Sequence, residues 1–343
     1  MIRKIVSLVL ATVLLTGCAA PQAQSTQKRF QATFLTLFDT VTTIVGYAES
    51  EDEFQKITDE IHDQLEQYHQ LFDIYNEYEG VVNIKTINDQ AGIAPVEVDP
   101  IIIEFLSDCK EYYEMSGGAV NVAMGSVLYL WHETRNAGID DPTNAKLPEE
   151  EQLREAAKHC SMDTVIIDES ASTVFISDPD QRLDVGAIAK GWATQKVCDG
   201  APSGLLVSVG GNVCATGPKP EANSSWVVGI QSPDGGADEY LHTVYVNSES
   251  VVTSGDYQRY YTVDGKQYHH IIDPETLYPA LNWKAVSIIC TDSGLGDALS
   301  TALFLLDREE GQKLLDKYDA QAMWVDLEGE TYYSPGFKEL IRT

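Results

Sequence analysis

Against 23 Lys and Arg, this 343-residue chain sets 53 Asp and Glu, for a formal net charge of −30. A surface of that sign repels phosphate backbones, which excludes nucleic acid as a partner and makes any phosphate-bearing ligand depend on locally placed cations or a metal. The length is ample for a sizeable core, in one large domain or two.

At the N-terminus, Arg3 and Lys4 precede an apolar run over 5–15 that leads into Leu15-Thr16-Gly17-Cys18. This is the pattern of a lipoprotein signal peptide over 1–17, cleaved to leave Cys18 as a lipidated N-terminus; the alternative is an ordinary secretory signal beside an incidental cysteine. The run is shorter than the roughly 20 residues that span a bilayer, and no later segment qualifies. The protein is therefore expected at the extracytoplasmic face of a cell membrane, lipid-anchored rather than spanning. Residues 18–29 read as the lipidated Cys18 and a flexible tether, small and polar, and 30–343 as a single folded domain. Five cysteines remain, Cys109, Cys160, Cys198, Cys214 and Cys290. An odd set without C-x-x-C spacing indicates neither a complete disulfide framework nor a zinc site.

Residues 34–47 are rich in β-branched and aromatic side chains and predict one or two strands. From 53 to 75, Phe54, Ile57, Ile61, Leu65, Tyr68, Leu71 and Phe72 recur at helical spacing. Asp99-Pro100 predicts a second helix to about Met115, with Asp99 as cap and Pro100 at the first helical position. Further helices are expected over 127–131 and 148–158. Strands are expected over 164–168, 173–177, 204–209, 226–231, 241–246 and 285–291, with a helix over 295–306 and a last strand over 322–326. Asp264-Gly265, between strands at 259–263 and 267–272, is a hairpin signal. Antiparallel hairpins interspersed with helices predict an α+β fold.

Four short segments carry the chemistry. In 184–193 (DVGAIAKGWA) a strand-like approach ends at Asp184, small residues let backbone come near a ligand, and a helix begins whose free N–H groups favour phosphate oxygens. Lys190 adds a charge in its first turns, although small residues also serve helix packing. Asp297 and Thr301, four apart on the expected helix, present a carboxylate and a hydroxyl on one face. Both are hard oxygen ligands suited to magnesium, and a backbone carbonyl near Ala187 completes such a set. The alternative is that Asp297 favours a helix N-terminus electrostatically while Thr301 packs. His270, at the end of a hairpin strand, is placed to orient or deprotonate a hydroxyl. Asp256, in 253–256 (TSGD), serves either as a second base or as a turn residue.

Together these segments, with Phe72-Asp73-Ile74-Tyr75-Asn76, Ser116-Gly117-Gly118-Ala119-Val120-Asn121 and Val207-Ser208-Val209-Gly210-Gly211-Asn212, resemble the ApbE family of flavin transferases over nearly all of the folded chain. The resemblance implies an α+β fold, mainly antiparallel sheets with packed helices, that holds FAD in a cleft between lobes. It implies transfer of the FMN half of FAD to a threonine or serine hydroxyl of an acceptor protein carrying a flavinylation motif, with Mg2+ as cofactor and AMP released. Asp297, Thr301 and the Ala187 carbonyl would hold the metal. Phe38, Tyr75, Ala119, Val120, Asn121, Asp184, Lys190 and the backbone at Ile272 would contact FAD, and His270, with Asp256, would assist the attacking hydroxyl. The chain departs from the family pattern at Val120-Asn121, where many members have Phe-Asp, and at Phe38-Asp39-Thr40, where Met-Gly-Thr is common. Two other readings of the same residues are an FAD pyrophosphatase giving FMN and AMP, and a non-catalytic flavin-binding lipoprotein.

Overall fold

The computed structural model describes residues 27–220, 224–236 and 239–342. The leader, Cys18 and most of the tether lie outside them. The chain opens with strands β1 (Lys28–Leu35) and β2 (Val41–Ala48), then helices α1 (Glu51–Phe72) and α2 (Ile84–Asp89), strand β3 (Val96–Glu97) and helices α3 (Pro100–Met115), α4 (Gly125–Asp140) and α5 (Glu150–Ala156). Strands β4 (Val165–Asp168) and β5 (Thr173–Ile176) lead to helix α6 (Ala189–Gly200). Strands β6 (Leu205–Val209), β7 (Asn212–Ala215), β8 (Trp226–Gln231), β9 (Tyr240–Val246), β10 (Ser250–Gly255), β11 (Tyr260–Val263), β12 (Lys266–His269) and β13 (Ala285–Cys290) follow. Helices α7 (Ser293–Leu305) and α8 (Arg308–Leu315) and strands β14 (Ala320–Val325) and β15 (Thr331–Tyr333) complete the fold.

Eight strands form the main sheet in the order β1-β2-β6-β7-β10-β13-β14-β15. Each neighbouring pair is antiparallel, as the α+β expectation requires. Alternation along the strands gives each face its own core. Ile44, Val207, Val209 and Cys214 meet Phe54, Ile61 and Leu65 of α1 and Val197 of α6, while Val286 and Ile288 meet Leu299 and Leu303 of α7. On the opposite face, Val251, Ile289 and Met323 pack against Trp226 and Val244 of the β8–β9 hairpin. A separate cluster joins Val127 and Trp131 of α4 to Tyr261 and Val263 of the β11–β12 hairpin and to Ile272, and the Trp131 indole N–H donates to the Leu277 carbonyl at 2.9 Å.

The local signals explain the boundaries. Asp99 accepts from the Ile101 N–H at 2.9 Å and Pro100 opens α3. Asp264 and Gly265 both have positive φ, 49° and 78°, the backbone of a type I′ hairpin. Gly210 and Gly211, at 58° and 94°, make the same kind of turn between β6 and β7.

Three expectations are corrected. The approach to Asp184 is extended but belongs to no strand: the Asp184 N–H donates to the Val122 carbonyl at 2.8 Å, and α6 begins only at Ala189 after a turn. The hairpin strand stops at His269, so His270 stands one residue beyond it. Residues 253–255, to which no strand is assigned above, form the end of β10, paired with β13 from Ser250↔Cys290 to Gly255↔Ala285.

Candidate active site

The site starts where α6 and α7 touch. α7 is capped by Asp292, whose side chain accepts from the Leu295 N–H at 2.8 Å, and small residues line its first turns. On α6, Gly191 has no room for a side chain: an added Cβ would stand 2.4 Å from the Ser293 carbonyl oxygen and 2.5 Å from the Asp297 Cβ. That approach lets Asp297 Oδ2 accept from the Gly191 N–H at 2.8 Å, and the Asn212 side-chain amide of β7 donates to the same oxygen at 2.9 Å. These bonds bear on the helix-terminus reading of Asp297. It does serve a helix N-terminus, but that of α6 rather than its own, and Oδ1 takes part in neither bond. Burial pushes its pKa up; the Lys190 charge and the two hydrogen bonds oppose the rise. Thr301 lies one turn further along, half-buried.

Lys190, the second residue of α6, folds back so that Nζ donates to the Gly186 carbonyl at 3.2 Å. The intervening turn exposes Ala187, and its other end is closed by Asp184 Oδ1 accepting from the Gly186 N–H at 3.0 Å. The candidate donors, a carboxylate, a hydroxyl and a turn carbonyl, are all oxygens, and Asp297 is a buried carboxylate whose charged form Lys190 favours. This chemistry fits magnesium, which completes its shell with water and substrate phosphate.

His270 carries its role in its tautomer. Nδ1 lies 3.2 Å from the Arg259 carbonyl oxygen, which can only accept, so Nδ1 holds the proton and Nε2 keeps its lone pair. Burial, then the charges of Arg259 and Lys190, push the pKa down to about 3, so the ring is neutral at physiological pH. The Lys190 charge bears on both Asp297 and His270, opposing the rise of the one and adding to the fall of the other. Asp256 faces other charges: burial raises its pKa to about 6, with Lys284 opposing and Asp234 adding to the rise.

The site continues towards α4. Burial, then the Asp184 charge, raises the pKa of the Tyr75 phenol. Its hydroxyl lies 3.2 Å from His132 Nδ1 and its ring stacks on the imidazole, with centroids 4.7 Å apart. Around His132 stand Arg135, Asp184, Glu133 and Arg259. Sequence reasoning passed over His132, Arg135 and Arg259. The signal available was a histidine and an arginine three apart on one helix face, in a chain short of cations.

The remaining expected FAD contacts are unequal. Val120 is buried, with its N–H bonded to Ser116 Oγ at 3.0 Å, and Ala119 is half-buried. The Asn121 side chain is engaged within the fold: Oδ1 accepts from the Ala123 N–H and Nδ2 donates to the Cys160 carbonyl, both at 2.9 Å. Ile272 buries its side chain in the α4–hairpin cluster, which leaves its backbone as the part available to a ligand. Phe38 has a φ of 54° and ψ of 31°, flanked by Thr36 at 101° and Asp39 at 52°. Non-glycine residues rarely adopt this conformation, and such strain clusters at ligand clamps. A cavity of about 390 Å³ lined by Ser126, Leu130, Gln152, Glu155 and His159 includes none of the expected site residues.

The profile of the ApbE family matches residues 38–324. An FAD:protein FMN transferase of Treponema pallidum is 34% identical over 308 residues, 82% of each chain, and one of Klebsiella pneumoniae is 32% identical over 268 residues, 74% of this chain and 80% of its own. Among solved structures, the ApbE protein of Thermotoga maritima superposes with a TM-score of 0.81 at 29% identity, covering 92% of this chain and all of its own. The flavinyl transferase ApbE of Pseudomonas stutzeri, in its apo form, gives 0.75 at 25% identity, over 92% and 97%.

Proposed function

This chain belongs to the ApbE family, and we propose that it transfers the FMN moiety of FAD to a threonine or serine hydroxyl of an acceptor protein, releasing AMP. The observation that carries the residue-level reading is that Asp297 accepts from the Gly191 N–H at the start of α6, beside Lys190, whose charge bears on both Asp297 and the neutral His270. In the reaction the acceptor oxygen bonds to the FMN phosphorus while the bond from that phosphorus to the bridging oxygen breaks, and AMP leaves with that oxygen. His270 Nε2 takes the hydroxyl proton. Asp184 and Gly186 shape the turn that brings backbone towards the phosphates, and the Lys190 ammonium offsets their charge. Asp297, Thr301 and the Ala187 carbonyl would hold Mg2+, which supplies further charge neutralisation at the diphosphate. Tyr75, Phe38, the backbone of Ala119 and Val120, and the backbone at Ile272 would contact FAD, and Asn121 supports that loop through its two side-chain bonds. Asp256 acts as an acid–base group of secondary rank.

The test is to incubate the protein with FAD, Mg2+ and a protein bearing a Ser/Thr-rich acceptor motif, following AMP release and flavin fluorescence that survives denaturation. AMP with covalent fluorescence on the acceptor is the expected result. AMP with free FMN and an unlabelled acceptor would make the enzyme an FAD pyrophosphatase, and intact FAD would leave a flavin-binding protein.

A further inference from the structure

In a molecule with a net charge of −30, two guanidinium groups stand close enough to act on each other's charge, Arg135 on α4 and Arg259 just before β11. Neither forms an ion pair among the described residues: the cations that do are Lys85, Arg154, Lys158, Lys196, Lys284 and Lys313, with His62 and His159 if protonated. Asp184 is the carboxylate whose charge bears on Arg135. Arg135 is half-buried and Arg259 exposed beside it; like charges so placed disfavour one another, and an anion with several oxygens relieves that.

The arrangement is held from behind. Arg135 Nη2 donates to His132 Nδ1 at 2.9 Å. A guanidinium only donates, so Nδ1 must be the unprotonated nitrogen, and His132 serves Arg135 only while neutral. The Tyr75 ring stacks on the imidazole, which fixes its plane. Arg259 is fixed through its backbone, because its carbonyl accepts from His270 Nδ1 at 3.2 Å. The α4–hairpin apolar cluster of Val127, Trp131, Tyr261 and Val263 brings the two arginines' elements together.

We propose that Arg135 and Arg259 form a two-guanidinium seat for the diphosphate of FAD, and that His132 is a positioning residue holding Arg135 in it. The inference rests on the FAD-dependent reading above. Its two arms would meet the non-bridging oxygens, one from α4 and one from the segment before β11.

The experiment measures FAD and riboflavin binding to the full chain with Mg2+ present, by quenching of flavin fluorescence, for wild type and for Arg135→Gln, Arg259→Gln, Arg135→Lys, His132→Ala and His132→Asn. Riboflavin has the ring system without phosphates. Arg135→Gln and Arg259→Gln are expected to weaken FAD about tenfold or more, as loss of a charge-assisted bond does, while leaving riboflavin unchanged. Arg135→Lys restores part of the loss, and His132→Asn, which keeps an acceptor near the Nδ1 position, binds FAD more tightly than His132→Ala. Equal weakening of both ligands would mean a structural role and overturn the proposal, as would unchanged FAD binding in the glutamine variants. A wild-type chain that fails to bind FAD would overturn the function proposed above, and the seat with it.

Discussion

At His270 the tautomer and the surrounding charges give a specific pH signature. The folded-state pKa lies at about 3, below the ordinary 6.5, because of burial and then the charges of Arg259 and Lys190. As pH falls below 6.5 the unfolded chain takes the proton first, so the stability this group contributes is present above 6.5 and is lost between 6.5 and about 3. Asp256, raised to about 6, acts in the opposite sense, since its contribution falls as pH rises from 3.8 towards 6. The two slopes overlap, so the difference between wild type and a variant is the informative quantity. His270→Gln is expected to lose less stability than wild type between pH 6 and 4, in denaturant titrations across that range. Diphosphate bound near Arg259 and Lys190 offsets the charges that depress His270. The acid limb of kcat is therefore expected at higher pH than that of kcat/KM, because kcat reports the complex and kcat/KM the free enzyme. The roles at this scale were unevenly legible. Asp297, Lys190 and His270 stand out because carboxylate, lysine and histidine sit in recognisable strings. Arg135 and Arg259 do not, since nothing local says that α4 and the hairpin before His270 face each other.

At the scale of elements, the α6–α7 contact sets where Asp297 sits. Its closeness depends on Gly191, which has ordinary helical geometry, so alanine there is favoured by helix propensity and opposed only by space. The obstructing atoms are the backbone oxygen of Ser293 and the Cβ of Asp297, neither of which is the far end of a flexible chain. Gly191→Ala is expected to destabilise the fold by about 1–3 kcal/mol, the usual cost of overpacking, visible as a lower Tm. It is also expected to remove any Tm rise produced by Mg2+, because separating the helices moves Asp297. A variant as stable as wild type with an unaltered Mg2+ response would show that the close approach is dispensable. Elements with strong local grammar were readable: α3 from Asp99-Pro100, the β11–β12 turn from Asp264-Gly265, and α1 from its apolar spacing. Strands β7 and β10 were missed because Asn, Ala, Ser and Gly are poor strand formers. Their pairing in the middle of the sheet overrides that propensity. The extended run into Asp184 was misread as a strand because its Leu and Val positions fill the core without a partner strand.

For the whole molecule, the antiparallel sheet with helices on one face and the β8–β9 hairpin on the other supplies a rigid platform. The candidate site residues come from chain positions as far apart as Phe38 and Thr301. No helix among the described residues is long and apolar enough to cross a membrane. We propose that Cys18 carries the lipid that holds the enzyme at the extracytoplasmic face. Cys18→Ser expressed in a bacterial host is expected to leave the detergent phase for the aqueous phase, with flavin transfer unchanged; retention in the detergent phase would refute the anchor. Fold class followed from the mixture of hairpins and helices, but sheet order could not, because which strands neighbour one another is decided by contacts distant in sequence.

The most direct test of the central claim is the intact mass of an acceptor protein after incubation with this enzyme, FAD and Mg2+, run beside Asp297→Asn. The account predicts that the acceptor gains one phosphoester-linked FMN in step with AMP release. It predicts that Asp297→Asn, which keeps an oxygen for the Gly191 N–H but removes the carboxylate charge, loses that gain while staying folded. An acceptor flavinylated equally well by Asp297→Asn would contradict the assignment of the metal site, and one left unmodified by the wild type across acceptors with a serine or threonine motif would contradict the transferase itself.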